Sequence, residues 1–464
     1  MPASQEQEME SWRILLFARN GAEMLLFRGA SGFRLPILRI PRLQRTAPNL
    51  NAEAKRLWHL ETVSLFPLEV GHANGASPEY MYHVMEVRQP EALARFAPGC
   101  LAVCDLKEDS FADPRDFLAI RRGMRLEGTS SEKPLAPFSE FGSFQKLCEW
   151  VCSQLQSAGL HWDGDFCQLQ ASASFALIRF QTEKEAVWFK AVGHPNVREF
   201  LITTTLAARF PKYVPEILAT HEAWNGWLMR EAGGTSLFEH ADVSNWGKAV
   251  VSLAELQIAS VPSSDEILAA GARDLRLRRL EDQLDSFFVL MNRLMRQQTK
   301  SSPPPLSEAA LSQLQRDCEG VLGRLKRIDI PDALGHLDFN PGNIIVSPSE
   351  CTFLDWAEAF VGNPFFTFQY LLEFFRLAEP NHLDAQQSLT SAYSSRWECI
   401  LETEQLHEAM KLIPAAAAFA HATAIVARRG SKQMEEPRTA AALRSLTRRI
   451  QREIEELRQL EVAP

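Results

Sequence analysis

The chain has 464 residues, enough for roughly two to four domains with sizeable cores. With 46% hydrophobic and 23% charged residues it has the composition of a soluble globular protein, and a net charge of −9 argues against a binder of nucleic-acid backbones, which needs a dominant basic patch. Its eight cysteines include no C-x-x-C pair, which excludes the common zinc and thioredoxin-like spacings and fits reduced thiols.

The N-terminus, "MPASQEQEMESWRILLF", is acidic where a secretory signal is basic, so a cytoplasmic protein is expected. "WRILLFARNGAEMLLF" (12–27) predicts two strands joined at Asn20-Gly21, because both central residues of such a turn need positive φ. "FRLPILRIPRL" follows as an extended piece broken by Pro36 and Pro41, and "AEAKRLWHLETVSLF" (52–66) has a helical pattern. Residues 113–142 are charged and rich in breakers, and are expected to form a mobile connector after an accessory domain at 1–112. From Ser143 the apolar positions Phe144, Leu147, Val151 and Leu155 fall at helical spacing, with Ser143 as N-cap and Gly159 as C-cap.

The period then changes. "FALIRFQTEKEAVWFKAV" (175–192) predicts two strands, a helix is expected over 196–210, and "HEAWNGWLMREAGG" (221–234) predicts a second hairpin turning at Asn225-Gly226. Beyond residue 236 the pattern is mainly helical, interrupted by "TKSSPPPLSE" and by the short strands "NIIV" and "TFLD". The apolar run "PAAAAFAHATAIVA" (414–427) is too short for a membrane span and predicts a buried helix, so no membrane association is expected. A charged amphipathic helix after Pro437, expected to be a solvated surface element, closes the chain.

"GHLDFNPGNIIV" (335–346) carries the chemistry. Phosphoryl transfer from a nucleotide asks for positioning and charge neutralisation: one carboxylate to take the acceptor's proton, hard oxygen ligands for Mg2+, and a lysine on the phosphates. Asp338 is the candidate catalytic carboxylate. Asn343, five residues on in H-x-D-x-x-x-x-N, and Asp355, ending "TFLD", are the candidate metal ligands. Lys190 on its strand is the candidate phosphate-binding lysine, with Glu199 as its ion-pair partner. His336 reads as a structural residue rather than a base. Glu358 is a loop carboxylate that could touch a second metal, and Arg428 and Arg429 complement a helix end.

These blocks, "GHLDFNPGNIIV…FLDW", Lys190 and "WLMREAGG", resemble the aminoglycoside phosphotransferase-like family over roughly residues 160–430. The resemblance implies an α+β, two-lobed protein-kinase-like fold, with a small β-rich lobe and hinge at 143–235 and a helical large lobe at 236–464, preceded by a small α/β accessory domain. It also implies that the hinge, Met229, Arg230 and Glu231, lies beside the adenine. Some positions depart from the family pattern. His336-Leu337-Asp338 stands for H-G-D, and "QLQASASF" stands in place of a glycine-rich loop. "FFTFQYLL" replaces a stretch that commonly holds a structural Asp. Only nine residues separate Lys190 from Glu199, fewer than usual there, which leaves their pairing open.

The opening hairpin, "FRLP" and helix resemble the start of a Nudix domain, but Glu53 and Glu61 make no R-E-x-x-E-E ladder, so that region would bind or scaffold rather than hydrolyse. The expectation is a phosphotransferase moving the γ-phosphoryl group of ATP, or of GTP, with Mg2+, to a hydroxyl or amine of a small molecule. The alternative is a non-catalytic kinase-like module that binds a nucleotide or a partner. A Nudix-type hydrolase, and a protein kinase lacking D-F-G and A-P-E, are weaker readings.

Overall fold

The computed structural model describes residues 8–68, 81–96, 99–128, 140–240, 242–428 and 434–462. The chain divides into two compact units, residues 1–200 with 216–231, and residues 201–215 with 232–464.

Among the described residues the first unit holds two large sheets and a two-stranded one, Phe27–Gly29 with Gly32–Arg34. In one, the strand Met9–Ala18 is central: it pairs in parallel with Met81–Val87 and antiparallel with Glu23–Leu25 and Ile37–Pro41. Thr62–Leu68 and Cys100–Ala102 extend the sheet at its ends. The near-continuous apolar run of Met9–Ala18 follows from burial on both faces. Trp12, Ile14, Leu16 and Ala18 pack on Leu50 and Ala54 of the helix Thr46–Trp58, while Leu15 and Phe17 enter a core on the other side. The predicted turn holds Asn20 at φ 55° and Gly21 at φ 86°, and a Cβ at Gly21 would lie 2.5 Å from the Phe141 ring.

The second sheet is antiparallel, in the order Ile217–His221, Gly226–Arg230, Ala186–Val192, Phe175–Thr182, Trp162–Ser172. Its Ile178, Phe180, Phe189 and Leu228 share one core with Leu15 and Phe17, through Phe144, Leu147, Val151 and Leu155 of the helix Ser143–Ser157. The four apolar positions predicted for that helix are the buried ones, but Gly142 at φ 74° occupies the N-cap, and Ser143 donates its hydroxyl to Glu140 O at 2.6 Å.

Two expectations are corrected here. The helix read at 52–66 is Thr46–Trp58, closed by His59 at φ 51°, and "TVSLFPL" belongs to the strand Thr62–Leu68. The tertiary pairing of that strand with Met81–Val87 overrides its helical periodicity. Within 113–142, Pro114–Gly128 is a helix rather than a connector. Asp113, just before it, and its buried Asp116 pair with Arg13 at 2.6 and 2.5 Å, and Ala119 and Ile120 enter the core. Residues 129–139 of that stretch lie outside the described residues.

The second unit is mainly helical around one core, in which Phe287, Phe288 and Phe419 meet edge-to-face or stacked. Asp242 and Ser307 cap Val243–Ser260 and Glu308–Ile328 by accepting the N–H of Asn245 and Ala310. The apolar run predicted as a buried helix is Thr403–Arg428. Length and composition would let it cross a membrane, but 61% of its most apolar window is buried inside the protein. The final helix, Pro437–Val462, is not merely solvated: Ala440, Leu443, Thr447, Ile450, Ile454 and Leu457 are buried along one face. Two three-stranded sheets complete the unit. Ile344–Val346 lies between Thr235–Ser236 and Cys351–Phe353, and Ala359–Gly362 lies between Arg273–Leu275 and Ala333–His336.

Candidate active site

The strand Ala333–His336 delivers the loop that bears Asp338. Gly335 is required there, because a Cβ would meet the buried Phe360 ring at 2.1 Å. His336 is buried and organises the loop: its N–H donates to Thr367 Oγ1 at 2.9 Å, and its Nδ1 accepts the N–H of Asp338 at 3.0 Å. Nδ1 therefore carries no proton, and the N–H tautomer at Nε2 donates to Leu354 O at 3.3 Å. Burial, the largest influence, lowers the imidazole pKa and keeps the ring neutral. That is the structural role expected of it.

Asp338 is half-buried. Asn340 donates to its carboxylate Oδ1 at 3.0 Å and closes the turn Pro341–Asn343 by accepting the N–H of Gly342 at 2.9 Å. Asn343 donates Nδ2 to Asp338 O at 2.9 Å, which leaves its amide oxygen as the atom suited to a cation. The N–H of Leu354 binds Asn343 O at 2.9 Å, so Asp355 follows a residue tied to both Asn343 and His336. Asp355 is exposed and held in the left-handed region at φ 63°, a conformation that aspartate adopts more readily than most residues. These hydrogen bonds thus tie Asp338, Asn343 and Leu354, the residue before Asp355, to His336, and the charges of Asp338 and Asp355 both reach its ring. The oxygens of Asp338, Asn343 and Asp355 are hard donors and few, which fits Mg2+ that keeps waters of its own. Among the described residues no group of three or more His, Cys, Asp or Glu side chains forms a metal site without such an amide.

Glu358 does not serve as a second metal ligand. Arg273 meets its Oε2 at 3.1 Å and Arg428 its Oε1 at 2.9 Å, so both oxygens are taken. Arg428 is thus more than a helix-end charge; Arg429 lies outside the described residues.

In the first unit Lys190 and Glu199, 6% and 1% exposed, form a buried ion pair. Nine residues suffice because Lys190 stands two places before the end of its strand and Glu199 is the second residue of the helix Arg198–Arg209. The turn between is closed by Asn196 N–H on Gly193 O at 2.8 Å and Glu199 N–H on Asn196 O at 3.0 Å. The Lys190 ammonium also lies over the rings of Phe175 and Trp227, at 5.4 and 5.7 Å.

Met229 and Arg230 end the strand Gly226–Arg230, and Met229 packs beside Val192, Phe200 and Trp227. The N–H groups of Arg230 and Glu231 are spent on Glu216 O and Ala186 O, at 2.9 and 3.1 Å. Glu231 holds Arg179 at 2.8 Å, which lowers its pKa, and Arg230 pairs with Glu185 and Glu216. These two residues therefore offer a base no amide donor. "QLQASASF" forms a tight turn at Ala173-Ser174, between Trp162–Ser172 and Phe175–Thr182.

Sequence reasoning missed Asn340, whose interactions arise only when the loop closes, and missed the surroundings of Asp338. Tyr370, one turn after Thr367 on the helix Phe365–Ala378, is pushed up to about 12 by burial and by the charge of Asp338. It stacks on His421 at 5.8 Å and lies edge-on to Phe374 at 5.2 Å. Glu373 on the same helix is held by Arg449 and Gln369.

Among solved structures the chain resembles the macrolide 2'-phosphotransferase MphH of Brachybacterium faecium at 15% identity, covering 64% of this chain and 97% of that one, with a TM-score of 0.43. An ethanolamine kinase of Plasmodium vivax gives 12%, 70%, 94% and 0.44, and the choline kinase LicA of Streptococcus pneumoniae gives 11%, 68%, 99% and 0.41. No curated protein matches it in sequence. The assignment comes instead from the family model described as the phosphotransferase enzyme family, which matches residues 167–399, half of the chain, and spans every residue assigned above to phosphoryl transfer. By that match the chain belongs to the phosphotransferase enzyme family.

Proposed function

We propose that this phosphotransferase moves the γ-phosphoryl group of ATP to a hydroxyl group of a small molecule. The observation that carries the reading is the loop built on neutral His336, which fixes the Asp338 backbone and lets Asn340 and Asn343 orient the acid and the amide oxygen. The acceptor hydroxyl would attack the γ-phosphorus as its proton passes to the Asp338 carboxylate. An O–P bond to the acceptor forms, the bond to the bridging oxygen breaks, and ADP leaves. Lys190, held by Glu199, would contact the α- and β-phosphates. Asn343 Oδ1 and the Asp355 carboxylate would hold Mg2+, which when bound neutralises phosphate charge.

The test is calorimetric titration of ATP and GTP with and without Mg2+, followed by transfer assays. Asp355→Ala is expected to lose Mg2+-dependent nucleotide binding, and Asp338→Ala to keep binding and lose transfer. Full transfer by Asp338→Ala would refute the role given to it. Absence of Mg2+-dependent binding in the unaltered protein would favour a non-catalytic kinase-like module.

A further inference from the structure

Apart from the candidate metal ligand Asp355, two carboxylates near Asp338, Glu358 and Glu373, are already committed to arginines, and that limits the charge of what can bind there. The main chain of Glu358 accepts the N–H of Leu337, the residue before Asp338, at 3.0 Å, so its side chain leaves from the immediate vicinity of the proposed base. Arg273 and Arg428 occupy both of its carboxylate oxygens. Two guanidiniums against one carboxylate leave this triad with a net positive charge. Glu373 is likewise engaged at both oxygens by Arg449, and Gln369 adds a third contact at 3.2 Å. An ammonium group seeking either glutamate would have to displace an arginine from a partly buried pair, which is costly. Arg428, in contrast, spends only Nη1 on Glu358. Its side chain is 39% exposed, and its other N–H groups have no protein partner among the described residues. Tyr370, near enough to Asp338 to feel its charge, stacks on His421 at 5.8 Å and lies edge-on to Phe374 at 5.2 Å.

Resting on the phosphotransferase reading above, we propose that the phosphoryl acceptor is a hydroxyl compound bearing an anionic group, a carboxylate or a phosphate, that Arg428 receives with Arg273 and Glu358 behind it. A planar guanidinium with donors to spare is suited to either oxyanion. The hydroxyl is then phosphorylated as written above, its proton going to Asp338, while the anionic group stays unreacted.

The experiment is acceptor-dependent ADP release by the full chain with Mg2+ and ATP. Three panels would be compared: hydroxy acids and sugar phosphates, the uncharged sugars and polyols they derive from, and amino alcohols with aminoglycosides. Turnover is expected in the first panel, its carboxylate and phosphate arms deciding which oxyanion is taken. Arg428→Gln should lower kcat/KM for that acceptor by about tenfold to a hundredfold, the loss expected of charged hydrogen bonds, with the KM for ATP unchanged. Arg428→Lys should recover part of the loss. Preference for the cationic or uncharged panel overturns the inference. So does an Arg428→Gln enzyme with unaltered acceptor kinetics, or one whose defect lies in the KM for ATP. No turnover in any panel by a protein that binds Mg2+ and ATP also overturns it. A protein that fails to bind the nucleotide overturns the phosphotransferase reading, and this inference with it.

Discussion

The side-chain amide of Gln168 bonds both main-chain groups of Ser64: its Oε1 accepts the Ser64 N–H at 2.9 Å, and its Nε2 donates to Ser64 O at 2.8 Å. Asn51 adds a donor to the same Oε1 at 2.9 Å. Gln168, 2% exposed, thus completes the ladder of Thr62–Leu68 from the edge strand Trp162–Ser172, near a register shift of that strand. The N-terminal sheet and the lysine-bearing sheet are one folding unit by this contact and by their shared core.

Gln168→Leu would leave the Ser64 N–H and C=O buried without partners. We expect it to destabilise the first unit by about 2–6 kcal/mol, at about 1–3 kcal/mol for each of the two orphaned groups. Urea unfolding followed by tryptophan fluorescence measures this. A change within the error of the extrapolation would mean that water satisfies Ser64.

The Lys190–Glu199 pair is buried, so its two halves depend on each other. Lys190→Met alone and Glu199→Gln alone should each cost about 3–5 kcal/mol, whereas the double variant should cost clearly less than the sum. Additive costs in a double-mutant cycle would show that the two side chains are stabilised independently.

Asn340 offers a kinetic test. Asn340→Asp keeps the oxygen that caps Pro341–Asn343 but replaces the donor to Asp338 with a like charge. We expect kcat to fall about tenfold to a hundredfold through misplacement of the carboxylate, with the KM for the nucleotide little changed. A shift in that KM without loss of kcat would place Asn340 on the nucleotide instead.

His83, on the strand Met81–Val87, is buried, neither of its ring nitrogens has a hydrogen-bond partner among the described residues, and burial lowers its pKa to about 3. Above the ordinary value of 6.5 neither folded nor unfolded chain holds the proton, and the residue gives stability no pH dependence. As pH falls below 6.5 the unfolded chain takes the proton and the folded chain does not, so stability falls by at most about 1.4 kcal/mol per pH unit, down to the folded value. His83→Leu should therefore raise stability at pH 5 relative to pH 7 by about 2 kcal/mol more than it does for the unaltered protein. Parallel pH dependence in the two proteins would mean that the folded chain protonates His83.

The candidate residues for phosphoryl transfer could be proposed from the sequence because they sit in short local patterns. The H-x-D-x-x-x-x-N loop folds within a few residues, and Asn20-Gly21 turns by its own conformational preference, whereas at Asn225-Gly226 only Asn225 takes positive φ and Gly226 already opens the strand Gly226–Arg230. Periodicity likewise marked Ser143–Ser157, whose apolar positions face one core, and the lysine strand, whose Val187, Phe189 and Ala191 enter that same core. It failed at Thr62–Leu68, where a run that fits a helix is claimed by a strand partner.

What tertiary structure alone decided are the pairings between residues far apart in the chain. Nothing local makes Asp116 the partner of Arg13, Gln168 the partner of Ser64, or Arg428 the partner of Glu358, and so a charged stretch looked like a connector and an arginine like a helix-end charge. A long-range ion pair or hydrogen bond leaves no periodicity to read, since its partners are chosen by which surfaces the packed core brings together. The candidate catalytic residues were therefore readable from the sequence, whereas the charge surrounding them, which governs what they can act on, came only with the fold.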